Sequence, residues 1–130
     1  MVNDLCKVYG DCIYVSIHVN AAGSDGKWHT ATGWEAYTSP GKTKADALAT
    51  CLYEAAKKNF KDVKIRTDYS DGDPDKESNL YVLKHTNCPA VLTENLFQDN
   101  KNDVDYLLSD KGFNEIVKIH VDGILEYFKA

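Results

Sequence analysis

The stretch IYVSIHVNAAG, residues 13–23, decides the fold class, because an apolar run ends there on a histidine. We interpret Cys12 to Val19 as a β-strand with apolar residues on both faces, a pattern typical of a strand covered on both sides. His18 then lies near the C-terminal tip of the strand, where open α/β sheets hold their functional groups. Small and polar residues follow and indicate a loop.

A second apolar run, PAVLTEN at residues 89–95, predicts another buried strand, which ends on Glu94. The alternating stretch GWEAYTS at 33–39 predicts a short strand, and VKIR at 63–66 could form a brief one. Helical patterns occupy residues 2–8, 43–59, 79–85, a segment that starts at Asn100, and 113–128. This β/α alternation predicts an α/β fold with three layers, α/β/α, around a small mixed, mostly parallel sheet.

The two longer helices each carry an apolar stripe that should face the sheet. For the helix at 43–59, with Thr43 as its cap, the predicted inner residues are Ala47, Leu48, Cys51, Leu52 and Ala55. For the last helix they are Phe113, Val117, Val121, Ile124 and Phe128.

Length and charge limit the function classes. A chain of 130 residues predicts a single domain spanning 1–130. The net charge of −5 argues against a broad nucleic-acid surface. No apolar run is long enough for a transmembrane helix, and the N-terminal stretch lacks the basic and apolar regions of a signal peptide, so the localisation stays open. We interpret Cys6, Cys12, Cys51 and Cys88 as free thiols, although sequence cannot exclude a disulfide.

His18 and Glu94 form the candidate site, because each ends an apolar strand. If the two strands are parallel neighbours, both side chains lie at the same edge of the sheet. A metal-binding histidine beside a carboxylate that transfers protons is the pattern of a zinc hydrolase. From spacing alone an ordinary structural role is favoured, with Glu94 capping a turn and His18 bonded to a backbone carbonyl.

Three sequence motifs, in order, resemble the amidase_3 family of zinc-dependent N-acetylmuramoyl-L-alanine amidases. They are the S-I-H-x-N-A strand end, the G-x-E-x-Y strand, and P-A-x-L-x-E followed by an aromatic residue, N-x-x-D and Leu. The matching residues here are Ser16, Ile17, His18, Asn20, Ala21, Gly33, Glu35, Tyr37, Pro89, Ala90, Leu92, Glu94, Phe97, Asn100, Asp103 and Leu107.

The resemblance implies an activity and its residues. The family cleaves the amide between N-acetylmuramic acid and the L-alanine of the stem peptide, so the expected partner is peptidoglycan or a muropeptide. It implies that His18 is a zinc ligand and that Glu94 is the catalytic base. Asn20 is expected to fix the loop after the strand or to contact substrate. The intact family acts on the cell wall.

The resemblance also implies a truncated domain that lacks the family's N-terminal strands. The family's G-H-G-G type motif and a following helical Glu carry two further zinc ligands, and neither has a counterpart in this sequence. Catalytic zinc usually has three protein ligands. We therefore expect the chain alone to be inactive as an amidase. The alternatives are a non-catalytic module that binds cell-wall fragments or a partner, and a second polypeptide that supplies the ligands.

Other polar residues are weaker candidates. None of the other histidines is expected to bind metal. We expect His29 on the surface, His85 at a helix end and His120 at the boundary of the core. Asp71, Asp73 and Asp75 alternate like calcium ligands, but Lys76 stands where the EF-hand frame needs Gly, which favours a solvated loop. Of the two tryptophans, Trp34 is expected in the strand core, and Trp28 could offer a stacking surface to a glycan.

The first strand also predicts self-association. Without neighbouring N-terminal strands it becomes an edge strand. It carries no charge, Pro or Gly that would prevent that edge from pairing with another chain. We expect a homodimer with the segment between Ile13 and Ile17 at or near its interface.

Overall fold

The computed structural model describes residues 1–129, which form helices and short strands in alternation. The helices are α1 (Val2–Tyr9), α2 (Ala45–Asn59), α3 (Tyr81–Lys84), α4 (Lys101–Leu107) and α5 (Asp110–Lys129). The strands are β1 (Tyr14–Asn20), β2 (Trp34–Thr38), β3 (Lys76–Glu77) and β4 (Ala90–Phe97). Over these residues, no helix combines the length and apolar character that crossing a membrane would need.

The four strands form one mixed sheet in the order β1-β4-β2-β3. β1 runs parallel to β4, and β2 runs parallel to β3, whereas β2 and β4 are antiparallel. The predicted α/β class with a mostly parallel sheet is therefore confirmed. The segment VKIR contributes an isolated bridge between Ile65 and Trp34 rather than a strand of its own.

Helices α2 and α5 cover one face of the sheet and enclose the main core. Trp34 packs edge-on against Tyr53, with 4.9 Å between ring centroids. The Tyr53 hydroxyl donates to the Arg66 carbonyl at 2.8 Å and accepts from the Ala36 amide at 3.1 Å. The hydroxyl is therefore satisfied inside the core, where each large side chain contributes about 1.5–3 kcal/mol by burial.

The opposite face is more thinly covered. Leu83 of α3 packs with Ala90 and Leu92 of β4, and Tyr37 lies beside them. α1 is tied to the end of α3, because the Asn3 side chain donates to the His85 carbonyl at 2.9 Å. This thin layer leaves the face accessible near the C-terminal end of β1, where His18 is exposed.

The predicted inner face of α5 is wrong. Phe113 is 63% exposed, and the predicted inner residues Val117, Val121 and Phe128 are also exposed. The buried residues of α5 are instead Gly112, Ile119, His120 and Gly123. A Cβ atom at Gly123 would lie 2.7 Å from Cδ2 of Leu52, so the glycine permits α2 and α5 to pack closely. Because α5 packs through this glycine face, its large apolar side chains point to solvent.

The predicted inner face of α2 is largely confirmed. Leu48, Leu52 and Ala55 are buried, whereas Ala47 is exposed. The prediction that Thr43 caps this helix is wrong, because the cap residue is Lys44, although the Thr43 hydroxyl still accepts from the Ala45 amide at 3.2 Å.

β1 is an edge strand, as expected, but no residue of β1 is buried, so the expectation of a strand covered on both faces is wrong. Its sole strand partner within residues 1–129 is β4. Ile17 is 61% exposed and Val19 is 45% exposed. All four cysteines are free thiols.

Candidate functional site

His18 and Glu94 lie directly opposite each other on the parallel strands β1 and β4. Register partners in neighbouring strands point to the same face, so both side chains lie on the face opposite α2 and α5. The sheet therefore brings together the two residues that the strand ends single out in the sequence.

The end of β1 is held by a buried amide. Asn95 donates through Nδ2 to the His18 carbonyl at 3.0 Å and accepts from Nε1 of Trp34 at 2.8 Å. The His18 side chain is exposed, and its Nε2 lies 2.7 Å from the Ser16 hydroxyl. When Nε2 carries the lone pair, Ser16 must rotate away before a metal ion can bind there.

Glu94 is a half-buried carboxylate with an unpaired oxygen. Its Oε2 is buried and has no hydrogen-bond partner within residues 1–129. Burial raises the pKa of Glu94, the charge of His18 opposes that shift, and the charge of Glu35 adds to it. A carboxyl with a raised pKa is suited to taking up a proton and passing it on.

Glu35 is a third carboxylate in the same row, because it lies opposite Glu94 on β2. It accepts from Lys76 Nζ at 2.6 Å, from Arg66 Nε at 2.9 Å and from the Tyr37 hydroxyl at 3.0 Å. Burial alone would raise the pKa of Glu35, but the bonds from Lys76 and Arg66 outweigh it, and the pKa lies below its ordinary value.

Sequence reasoning assigned no role to Glu35 or to its cationic partners. The alternating strand pattern places Glu35 and Tyr37 on one face, so the sequence alone could have predicted that the two side chains lie together. The positions of Arg66 and Lys76 follow only from the tertiary fold, since they come from a loop and from β3.

Asn20 ends β1 with its side chain already engaged. Its Nδ2 donates to Oε1 of Glu35 at 2.9 Å, and its Oδ1 accepts from the Ala21 amide at 2.9 Å. The loop that follows is held by Asp99, which accepts from the amides of Ala22 and Gly23. Asn20 thus links the strand end to Glu35 and borders the site.

The remaining histidines lie in other environments. His29 pairs with Asp25 at 2.8 Å, and that hydrogen bond raises its pKa. His85 stacks on Tyr81. The expectation that His120 is a boundary residue is wrong: it is buried, its ring nitrogens contact Thr93 and the Ile116 carbonyl, and burial lowers its pKa.

These residues fit one part of a zinc site. His18 offers one nitrogen ligand, and Glu94 lies beside it as a carboxylate. Among the described residues, the sole group of three candidate metal-ligating side chains is Asp46, Asp73 and Asp75, and it does not include His18. A tightly held catalytic zinc needs more ligands than this set provides.

The two tryptophans differ in burial, and so do the aspartates of the acidic loop. Trp34 is completely buried in the core, as predicted, and Trp28 is exposed. The expectation that the acidic loop is solvated is wrong for Asp75, which is 1% exposed. Its carboxylate instead packs beneath the loop against the end of β2.

The chain matches known proteins over most of its length. It is 36% identical over 118 residues to the endolysin of Bacillus phage SPP1, covering 88% of this chain and 39% of that protein. It is 33% identical over 120 residues to the N-acetylmuramoyl-L-alanine amidase CwlM of Bacillus licheniformis, covering 92% and 42%. The chain therefore spans about two fifths of the length of these relatives.

Solved structures show the same fold. The amidase AmiC2 of Nostoc punctiforme superposes with a TM-score of 0.77 at 23% identity, over 98% of this chain and 64% of that one. An N-acetylmuramoyl-L-alanine amidase of Clostridium difficile 630 gives 0.76 at 25% identity, over 99% and 64%. The family model described as Amidase_3: N-acetylmuramoyl-L-alanine amidase matches residues 3–126. The chain belongs to the Amidase_3 family.

Proposed function

We propose that this chain carries part of the site of a zinc-dependent peptidoglycan amidase. The reaction would hydrolyse the amide between N-acetylmuramic acid and the L-alanine of the stem peptide. The observation that carries the proposal is the direct register pairing of His18 with Glu94 on one face of the sheet. Family membership supports the same reaction.

Glu94 is the proposed general base. Its carboxylate takes a proton from the water that attacks the scissile carbonyl and delivers a proton to the departing amine of alanine. The unpaired Oε2 supports this role, because that oxygen is free to accept a proton. Glu35 cannot replace it, since its oxygens are engaged by Lys76, Arg66, Tyr37 and Asn20.

His18 is the proposed zinc ligand of this chain, and the remaining ligands would come from outside the described residues. A longer polypeptide or a second chain could supply them. Asn20 is proposed to position Glu35 and the loop after β1, and its contact with substrate stays a prediction.

The site also leaves open a second function, a module that binds cell-wall fragments without cleaving them. The observation in its favour is that no group of three metal-ligating side chains surrounds His18 within residues 1–129. The zinc content of the purified chain separates the two functions. Stoichiometric zinc with turnover supports the amidase, whereas binding of muropeptides without zinc supports the module.

The amidase proposal is tested by release of stem peptides from purified peptidoglycan. The chain alone is expected to be inactive with added zinc, and turnover sensitive to a chelator would contradict that expectation. A fusion that supplies the remaining ligands from a relative should be active. In it, Glu94→Gln should lower the rate by about 10²–10⁴ and keep zinc, and His18→Ala should lose zinc.

The matched control for Glu94→Gln is Glu126→Gln, which changes an exposed carboxylate on α5 in the same way. The control fusion should keep both its rate and its zinc. A Glu94→Gln fusion that is as fast as the unmodified fusion would refute the role of Glu94.

We further propose a homodimer through the edge of β1. Ile17 and Val19 are exposed there, beside the exposed stripe of Phe113, Val117 and Val121 on α5. A second copy placed by two-fold symmetry would pair the free backbone groups of β1 and cover both sets of apolar side chains.

A further inference from the structure

Three carboxylates from two segments of the chain meet near the end of the sheet where Thr38 of β2 pairs with Glu77 of β3. Asp46 lies in the first turn of α2, and Asp73 and Asp75 lie in the loop before β3. One oxygen from each lies within 4.8 Å of the others. Thr38 is three residues along β2 from Glu35, so this acidic cluster lies away from His18 and Glu94.

The acidic cluster contains buried oxygens without partners. Asp75 is 1% exposed, and one of its oxygens accepts from the Thr38 hydroxyl at 2.6 Å. Its other oxygen, Oδ1, and Oδ1 of Asp73 are buried without a hydrogen-bond partner among the described residues. A buried carboxylate oxygen without a partner is costly, so such an oxygen normally marks a position where a proton or an ion binds.

Among residues 1–129, no lysine, arginine or histidine forms an ion pair with the acidic cluster. None of the ion pairs within residues 1–129 includes Asp46, Asp73 or Asp75. The nearest lysine in sequence, Lys76, directs its ammonium group to Glu35. Burial raises the pKa of Asp75 to about 7, and the charges of Asp73 and Asp46 add to that shift. The described residues therefore supply no cation to the acidic cluster, and a bound cation would compete with the proton that the raised pKa of Asp75 favours.

We propose that Asp46, Asp73 and Asp75 bind a calcium ion that is structural and separate from the amidase site. The ligand atoms are all carboxylate oxygens, which hard cations prefer, and no histidine or cysteine belongs to the acidic cluster. Calcium binds several carboxylate oxygens at once at about 2.3–2.6 Å, whereas magnesium usually keeps several waters and binds one or two carboxylates.

The ion would join three parts of the fold. It would tie the start of α2 to the loop before β3 and, through Asp75 and Thr38, to the end of β2. This arrangement differs from an EF-hand, whose ligands come from one continuous loop. The inference does not depend on the proposed amidase function.

The test uses calcium chloride and the purified chain after treatment with a chelator. Isothermal titration should give one ion bound per chain, and the Tm should rise as calcium is added. Asp75→Asn should weaken calcium binding at least 10-fold. The control is Asp68→Asn, an exposed aspartate of the same loop, which should bind calcium as the unmodified chain does.

Several outcomes would overturn the proposal. One is no heat and no change in Tm up to about 10 mM calcium, a concentration above the weakest protein calcium sites. Another is equal weakening by Asp75→Asn and Asp68→Asn, which would indicate general charge screening. Tighter binding of zinc or magnesium than of calcium would refute the calcium assignment. If Asp75→Asn does not fold, Asp46→Asn at the half-buried helix start replaces it with the same expected loss.

Discussion

Glu94 and Glu35 face each other across β4 and β2, and their pKa values are shifted in opposite directions. Glu35 is surrounded by Lys76, Arg66 and Tyr37, which stabilise its charged form. Glu94 is half-buried with one oxygen unpaired, which favours its protonated form. Two neighbouring carboxyl groups whose pKa values differ in this way can perform different tasks: one stays charged and the other exchanges protons.

Removing Glu35 should destabilise the fold. Glu35→Ala leaves Arg66 and Lys76 without their shared partner, and losing one member of a buried ion pair typically costs about 3–5 kcal/mol. We expect about 2 kcal/mol, because both cations keep roughly a quarter of their side-chain surface in water. Urea unfolding measures the change. Glu54→Ala, which removes an exposed partner of Lys57, should change the free energy of unfolding by less than about 0.5 kcal/mol.

Glu94→Gln should stabilise the chain at neutral pH. The folded state raises the pKa of Glu94, so protonation favours folding, and that contribution is lost as the pH rises through the folded-state pKa. The amide removes this penalty at pH 7 and gives no advantage below the ordinary value of 4.5. Thermal unfolding of both proteins at pH 7 and pH 4 measures the effect. An equal difference in Tm at the two pH values would contradict the explanation.

Gly123→Ala should weaken the packing of α2 against α5. The added methyl group would lie 2.7 Å from Cδ2 and 2.9 Å from Cα of Leu52. Overpacking of this kind costs about 1–3 kcal/mol, which outweighs the gain of up to about 1 kcal/mol from replacing a helical glycine. Asn114→Ala, an exposed position on the same helix, should not destabilise the chain. Denaturant unfolding of both variants tests this close approach.

The edge of β1 should mediate self-association. Light scattering after gel filtration should give a mass that rises to that of a dimer with protein concentration. Ile17→Lys should keep the chain monomeric, because a charge on an exposed edge strand opposes pairing. Val8→Lys on α1, where Val8 is 72% exposed, should leave the dimer intact. A monomer at all concentrations, with slow amide exchange between Tyr14 and Ile17, would refute the dimer.

Local patterns predicted much of the fold. The strands that carry His18 and Glu94 have continuous apolar runs, and Asn100 caps α4, because its side chain accepts from the Asp103 amide. Such features depend on neighbours in sequence, so a single chain is enough to find them.

Long-range packing decided the features that sequence did not predict. The stripe from Phe113 to Val121 has helical spacing, but the two glycines of α5 allow a closer approach on another face. Arg66 lies 31 residues from Glu35, and no local pattern connects them. The burial of Asp75 depends on Thr38, 37 residues earlier in the chain.

The pairing of β1 with β4 has a consequence for how the chain folds. His18 and Asn95, which hold these strands together, are 77 residues apart in sequence. During synthesis at about 5–20 residues per second, β1 is complete about 4–15 s before β4 emerges. Throughout that interval β1 lacks β4, the strand that pairs with it in this structure, and closing so long a loop slows this pairing. We expect the unpaired edge of β1 that faces β4 to be most prone to aggregation before β4 has been made.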